Sequence, residues 1–189
     1  MSKLSLLVAI VFFVALFGAY CAPAAEEAAP AEETSAAEPE SQAKTAIANL
    51  QATEGNTANG TVNFEEADGL VSIHAHITGL TPGKHGFHIH GIGDCSAADG
   101  TSAGGHFNPE ETEHGAPDAE LHHSGDLGNV EADEEGNAHL SIGVDFITLS
   151  EGPSSILGRA VIVHAKEDDF GQPTGNAGPR VACGVILGL

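Results

Sequence analysis

Gly86-Phe87-His88-Ile89-His90 places two histidines two residues apart. In an extended strand, side chains at i and i+2 point to the same face. His88 and His90 therefore present two imidazoles side by side, which is half of a metal site. His106, His114, His123, Asp126 and His164 follow downstream and supply the other half. Six histidines and one aspartate with these neighbours read as a two-metal site. One ion would be held by nitrogen alone, the other by nitrogen and one carboxylate oxygen.

The neighbours separate these histidines from ordinary ones. His106 follows flexible glycines in Gly104-Gly105-His106-Phe107-Asn108-Pro109, and Glu113-His114-Gly115 and His123-Ser124-Gly125-Asp126 come at short intervals. Val161-Ile162-Val163-His164 brings a histidine to the end of a late apolar run. His74 and His76 alternate with Val71, Ile73 and Ala75, so they are expected to face solvent as plain strand residues. His122 and His139 read the same way. His85 is expected to pack or hydrogen-bond near the motif rather than bind metal.

The elements that must position these groups are short and alternating. Residues 46–51, 60–65, 70–78, 86–90, 128–132, 137–142 and 160–164 read as strands, with Gly, Asn and Asp punctuating between them. No convincing amphipathic helix interrupts them, which predicts an all-β antiparallel barrel or sandwich. Two long segments break the rhythm, 91–127 and 165–180. Loops of that length inside a compact domain are usually functional, and the candidate ligands outside the strands fall in the first.

The first 44 residues differ from the rest. Met1-Ser2-Lys3 is a short positive start, Leu4 to Phe17 is almost wholly apolar, and Gly18-Ala19 follows. This layout predicts a secretory signal over residues 1–21; an uncleaved membrane anchor is the alternative. Cys21 stands where a bacterial lipoprotein signal carries its lipidated cysteine, although Tyr20 is large for that motif. Either Cys21 becomes a lipid tether or cleavage near residues 22–25 removes it. Residues 22–44, rich in Ala, Glu, Pro and Ser, predict a disordered linker. The domain is expected over residues 45–189.

That domain carries 21 Asp or Glu against Lys84, Arg159, Lys166 and Arg180, a net of −17. Nucleic-acid binding needs clustered Lys and Arg and is excluded. Cys95 and Cys183 are its two cysteines. In an exported chain such a pair suggests one disulfide, with a copper-ligand role for either thiol as the alternative.

At this point the chain is identified by resemblance. Gly86-Phe87-His88-Ile89-His90, Ser102-Ala103-Gly104-Gly105-His106-Phe107-Asn108-Pro109, Gly125-Asp126-Leu127-Gly128-Asn129, Val163-His164-Ala165-Lys166 and residues 174–184 together resemble copper/zinc superoxide dismutase, closer to its exported bacterial branch. The resemblance covers residues 45–189. It implies a Greek-key barrel or sandwich of about eight strands with two functional loops. It implies copper on His88, His90, His106 and His164, and zinc on His106, His114, His123 and Asp126. His106 would bridge the metals and carry a proton when the bridge opens. Four nitrogens suit copper, and three nitrogens with a carboxylate suit zinc.

The resemblance further implies that Asp168, rather than Asp169, accepts hydrogen bonds from His88 and His114. Arg180 would attract the anionic substrate, Thr174 would shape the entrance, and Cys95 would pair with Cys183. The implied reaction is dismutation of superoxide to oxygen and hydrogen peroxide, in a periplasmic or cell-envelope protein that is tethered or free, with a homodimer common in the family. The 165–180 segment is short, and the lysine and glutamate arrangement of eukaryotic members is absent from it, which leaves Lys84 and Lys166 as further candidates for steering. Two rival readings are a copper-binding or copper-carrier module without catalysis and an immunoglobulin-like structural domain. The second has no reason to hold Asp126 and Asp168.

Overall fold

The computed structural model describes residues 43–189, so the expected signal, Cys21 and most of the linker lie outside the described residues. Eight strands follow in chain order: β1 Lys44–Ala52, β2 Asn59–Ala67, β3 Leu70–Thr78, β4 Gly83–His90, β5 Asp126–Ala132, β6 Ala138–Val144, β7 Ala160–His164 and β8 Arg180–Gly188. They close into an antiparallel barrel in the order β1-β2-β3-β6-β5-β4-β7-β8. One 3-10 turn, Thr101–Ala103, lies in the loop after β4.

Alternation explains the closure. Ala46, Ala48 and Leu50 on β1, Val62 and Phe64 on β2, and Val71, Ile73, Ala75 and Ile77 on β3 fill the interior, while their neighbours face out. Burial of that apolar face is the main term favouring the fold. The polar partners on β1 to β3 meet water on the far face, the pattern of an antiparallel sheet covered on one side.

β4 departs from this pattern, and its departure makes the site. Residues His85 to His90 are all buried. Phe87 and Ile89 point into the barrel core, so His88 and His90 point outward, under the two long loops. The first loop is laid along Ile89: Phe107 N donates to Ile89 O, Ile89 N to Gly125 O and Gly125 N to Phe107 O, each at 2.8 Å. A side chain at Gly125 would overlap the Ile89 carbonyl. The second loop is pinned where Gly86 N donates to Lys166 O at 2.8 Å.

β7 is likewise buried on both faces. Val161 and Val163 enter the core, whereas Ala160 and Ile162 pack with Ala103, Cys183 and Cys95. Cys95 and Cys183 are bonded as a disulfide, their Cα atoms 5.8 Å apart. The bridge ties the first loop to β8 three residues beyond Arg180. The copper-ligand alternative for the thiols is therefore set aside.

Candidate metal centre

His88 and His90 stand on β4, His164 ends β7, and His106 is brought to His90 by an isolated antiparallel bridge between the two residues. One ligand atom from each of these four lies within 4.8 Å of the others. A second group with the same closeness comprises His106, His114, His123 and Asp126. His106 belongs to both. The structure thus brings together all seven residues singled out from the sequence.

The hydrogen bonds decide which atoms face the first group. His88 Nε2 donates to Asp168 Oδ2 at 2.7 Å, His90 Nδ1 to the Gly104 carbonyl at 2.9 Å, and His164 Nδ1 to the Gly178 carbonyl at 2.9 Å. Each donation puts the proton on the outer nitrogen. The inner atoms, His88 Nδ1, His90 Nε2 and His164 Nε2, are buried without any hydrogen-bond partner. Buried polar atoms are almost always satisfied, so three bare lone pairs turned to one place fit a metal ion. Burial, above all, holds these imidazoles neutral: His90 is pushed down to about 2, His164 to about 3, and His88 also falls. Neutral imidazole is the form that ligates.

The second group is built around Asp126, which is fully buried. Its Oδ1 accepts from His106 Nδ1 at 2.8 Å, and its Oδ2 accepts from His114 Nδ1 at 2.8 Å and from the His123 amide at 2.8 Å. His123 Nδ1 is 3.3 Å from His106 Nδ1. Burial alone would raise the Asp126 carboxyl, but the His106 and His114 hydrogen bonds outweigh it and hold it well below the usual range. Burial opposes charge on His114, yet Asp126 and Asp168 together lift it to about 9. Three Nδ1 atoms and a carboxylate around one point form a donor set that suits zinc. Because His106 turns Nδ1 to this group, its Nε2 is left for the other.

Asp168 links the groups. Its Oδ2 holds His88, and its Oδ1 accepts from His114 Nε2 at 3.0 Å and from the Phe170 amide at 2.8 Å. Asp168 is fully buried, whereas Asp169 is exposed and holds Gly171 and Asn176. Three contributors to this arrangement were not read from the sequence. Asn129 clamps the Asp168 main chain through both its amide and its carbonyl oxygen, at 3.0 and 2.7 Å. Gln172 does the same for His114, at 2.7 and 3.2 Å. Gly175 has φ +73°, and a Cβ there would overlap Asp168 Oδ1 and come within 2.7 Å of His114 Nε2. Membership of a matched motif was the available signal for Gly175 and Asn129; Gln172, outside those motifs, carried none.

Arg180 is half-buried at the start of β8, opposite His164 in register. Its guanidinium donates to the Gly100 carbonyl at 2.5 Å and to the Gly104 carbonyl, the same oxygen that holds His90. Its charge contributes to keeping His90 and His164 unprotonated. Thr174 is exposed. Lys84 is ion-paired with Glu167 at 2.9 Å, and Lys166 is exposed. His85 is buried between the His164 and Thr81 carbonyls, and His122 packs edge-on against Phe146, so neither joins the metal groups.

The family model described as copper/zinc superoxide dismutase (SODC) matches residues 58–186. The chain belongs to this family. An extracellular superoxide dismutase [Cu-Zn] of Brugia pahangi is 46% identical over 152 residues, covering 75% of each chain. The crystal structure of the clock protein EA4 matches with a TM-score of 0.69 and 48% identity, covering 75% of this chain and 92% of that one. As a member of the family, the protein is an enzyme that dismutates superoxide with copper and zinc.

Proposed function

We propose that His88, His90, His106 and His164 hold the copper, that His106, His114, His123 and Asp126 hold the zinc, and that His106 and Arg180 carry the catalysis. The three partnerless inner nitrogens beside His106 are the observation that supports this most strongly. The chemistry copper supplies when bound is one-electron exchange: one superoxide gives up an electron and leaves as oxygen, and a second gains it and, with two protons, leaves as peroxide.

The residues of the chain do the rest. Arg180 binds the anion through the guanidinium edge not used on the Gly100 and Gly104 carbonyls. Against a net charge of −21, this cation fixed beside the site focuses attraction locally, a device for which the enzyme family is itself the standing example of steering. Lys84 is neutralised by Glu167, which leaves Arg180 and the exposed Lys166 to supply the pull. His106 takes up and releases a proton at Nε2, while its Nδ1, turned to the Asp126 group, would stay on the zinc. Asp168 keeps the His88 and His114 rings in the ligating tautomer. Arg180→Glu is expected to slow dismutation severalfold or more with copper and zinc content unchanged; a fall in metal content instead would make Arg180 structural.

Export is supported by the extracellular relative. Retention in the periplasm or cell envelope, with a lipid on Cys21 as tether, extends that reading, and intact mass of the native protein tests it. The named relatives do not bear on the bacterial branch. A homodimer is supported by one apolar face: Ile92, Leu157, Leu187 and Leu189 are exposed, and Gly93 and Gly188, with almost no bulk, adjoin Gly158 and Leu157. Light scattering at a single-chain mass would remove it.

A further inference from the structure

A second set of histidines stands on the opposite wall of the barrel. In strand order β3 and β6 are separated from β4 and β7 by β5 on one side and by β2, β1 and β8 on the other. His76 on β3 lies directly across from His139 on β6, and both are exposed. Their rings are stacked, with centroids 4.5 Å apart and planes inclined by 26°. His74 is two residues along on the same face, diagonal to His139 and hydrogen-bonded to Ser141 at 3.1 Å.

We infer that His76 and His139 form a third metal site, on the surface, for a borderline divalent ion such as Cu²⁺, Ni²⁺ or Zn²⁺. Directly opposed residues of antiparallel strands have Cβ atoms about 4.5–5.5 Å apart, which lets two imidazoles reach one ion. Such an ion needs each nitrogen at about 2.0–2.1 Å. The χ2 torsion of histidine is broad, so small rotations of two exposed rings turn one nitrogen of each toward a common point. Among the described residues, the nitrogens of His76 and His139 have no hydrogen-bond partner and no carboxylate in ion-pair range, so only water is displaced. Imidazole is a donor shared by copper, nickel and zinc. His74 is the nearest further nitrogen and can join after leaving Ser141.

On the β2 side the outer positions beside the pair are neutral, and on the β5 side the exposed Glu131, next to the Ala132 that pairs with Ala138, adds negative charge beside His139. Thr61 and Asn63 of β2 face His76 and His74 across the β2–β3 ladder. The strand backbones hold the pair in register, so the chelate needs ordering of two side chains only, which lowers the entropic cost of binding. The overall charge of −21 favours cations near the surface.

The test uses the protein already loaded with copper and zinc. It is dialysed against Ni²⁺, and nickel, copper and zinc are then counted by mass spectrometry. About one nickel per chain is expected above the resident ions, with copper and zinc unchanged. His76→Asn and His139→Asn should each reduce that nickel to background while dismutation stays at the parent rate, and His122→Asn should leave it in place. No added nickel, nickel gained only as zinc is lost, or nickel retained in both His76→Asn and His139→Asn would overturn the inference.

Discussion

Asp168→Asn tests the tie between the two metal groups with the smallest change of shape. The carboxylate presents two acceptor oxygens, Oδ2 to His88 and Oδ1 to His114 and Phe170. An amide presents one acceptor and an NH₂ group. Whichever way it turns, one imidazole N–H meets a donor. That ring must move its proton to the metal-facing nitrogen or swing away. His88 is fully buried on a strand paired on both sides. His114 sits in a loop and owes its orientation to Asp126, Asp168 and Gln172, so it is the one to give way. Loss of such an outer partner typically costs 10–100-fold in metal affinity, or about 1.4–2.7 kcal/mol. Zinc is therefore expected to weaken by that factor, and copper by less. Chelator competition with metal counting reads the affinities, and far-UV circular dichroism checks that the barrel is intact. Unchanged zinc affinity, or copper lost while zinc is kept, would refute the reasoning.

Three further outcomes follow from the same geometry. Gly175→Ala should cost about 1–3 kcal/mol of stability from its left-handed backbone alone and should also release metal, because the added Cβ overlaps Asp168 Oδ1; a normal melting temperature with full metal content would contradict it. Replacing Cys95 and Cys183 together by Ser opens a loop with a sequence separation of 88, for which the chain-entropy model gives roughly 4–5 kcal/mol and hence a fall of order 10 °C in Tm; an unchanged Tm would count against it. In the metal-free protein, His90 and His164 are held at about 3 or below, under the unfolded value of about 6.5. Their stabilising contribution is whole above pH 6.5 and is lost as pH falls toward 3, by up to about 1.4 kcal/mol per pH unit for each. His114, lifted to about 9, acts oppositely and only between about pH 6.5 and 9. Denaturant unfolding at pH 7 and pH 5 checks the sign, and equal stability at the two values would refute it.

Much of the barrel was legible because its strands alternate. Residues 70–78 were bounded as they stand in β3, and 46–51 lie inside β1, which runs two residues further back and one further on. β4 begins at Gly83 rather than 86, because pairing of Gly83, Lys84 and His85 with β5 carries it backward through residues that show no apolar pattern. β5 begins at Asp126 rather than 128: the carboxylate proposed as a zinc ligand itself lies opposite His88 in register, so the first loop ends sooner than its composition suggested. The i, i+2 spacing made His88 and His90 readable as a pair. What joins them to the other ligands is carried by main-chain carbonyls of Gly104 and Gly178 and by the side chains of Asn129 and Gln172. Such contacts depend on where loops fold back, and a local pattern does not contain them. The same holds for His76 and His139. Each stands exposed on its strand, as the alternation predicts, but their juxtaposition appears only once β3 pairs with β6 and brings together histidines with 62 residues of chain between them.

The proposed centre requires one copper and one zinc in each chain, acting together on superoxide. Metal counting by mass spectrometry on the purified protein, combined with measurement of superoxide consumption on the same sample, is the decisive check. About one copper and one zinc per chain with fast dismutation is the expected result. Both ions bound in that ratio with superoxide decaying no faster than in buffer would contradict it.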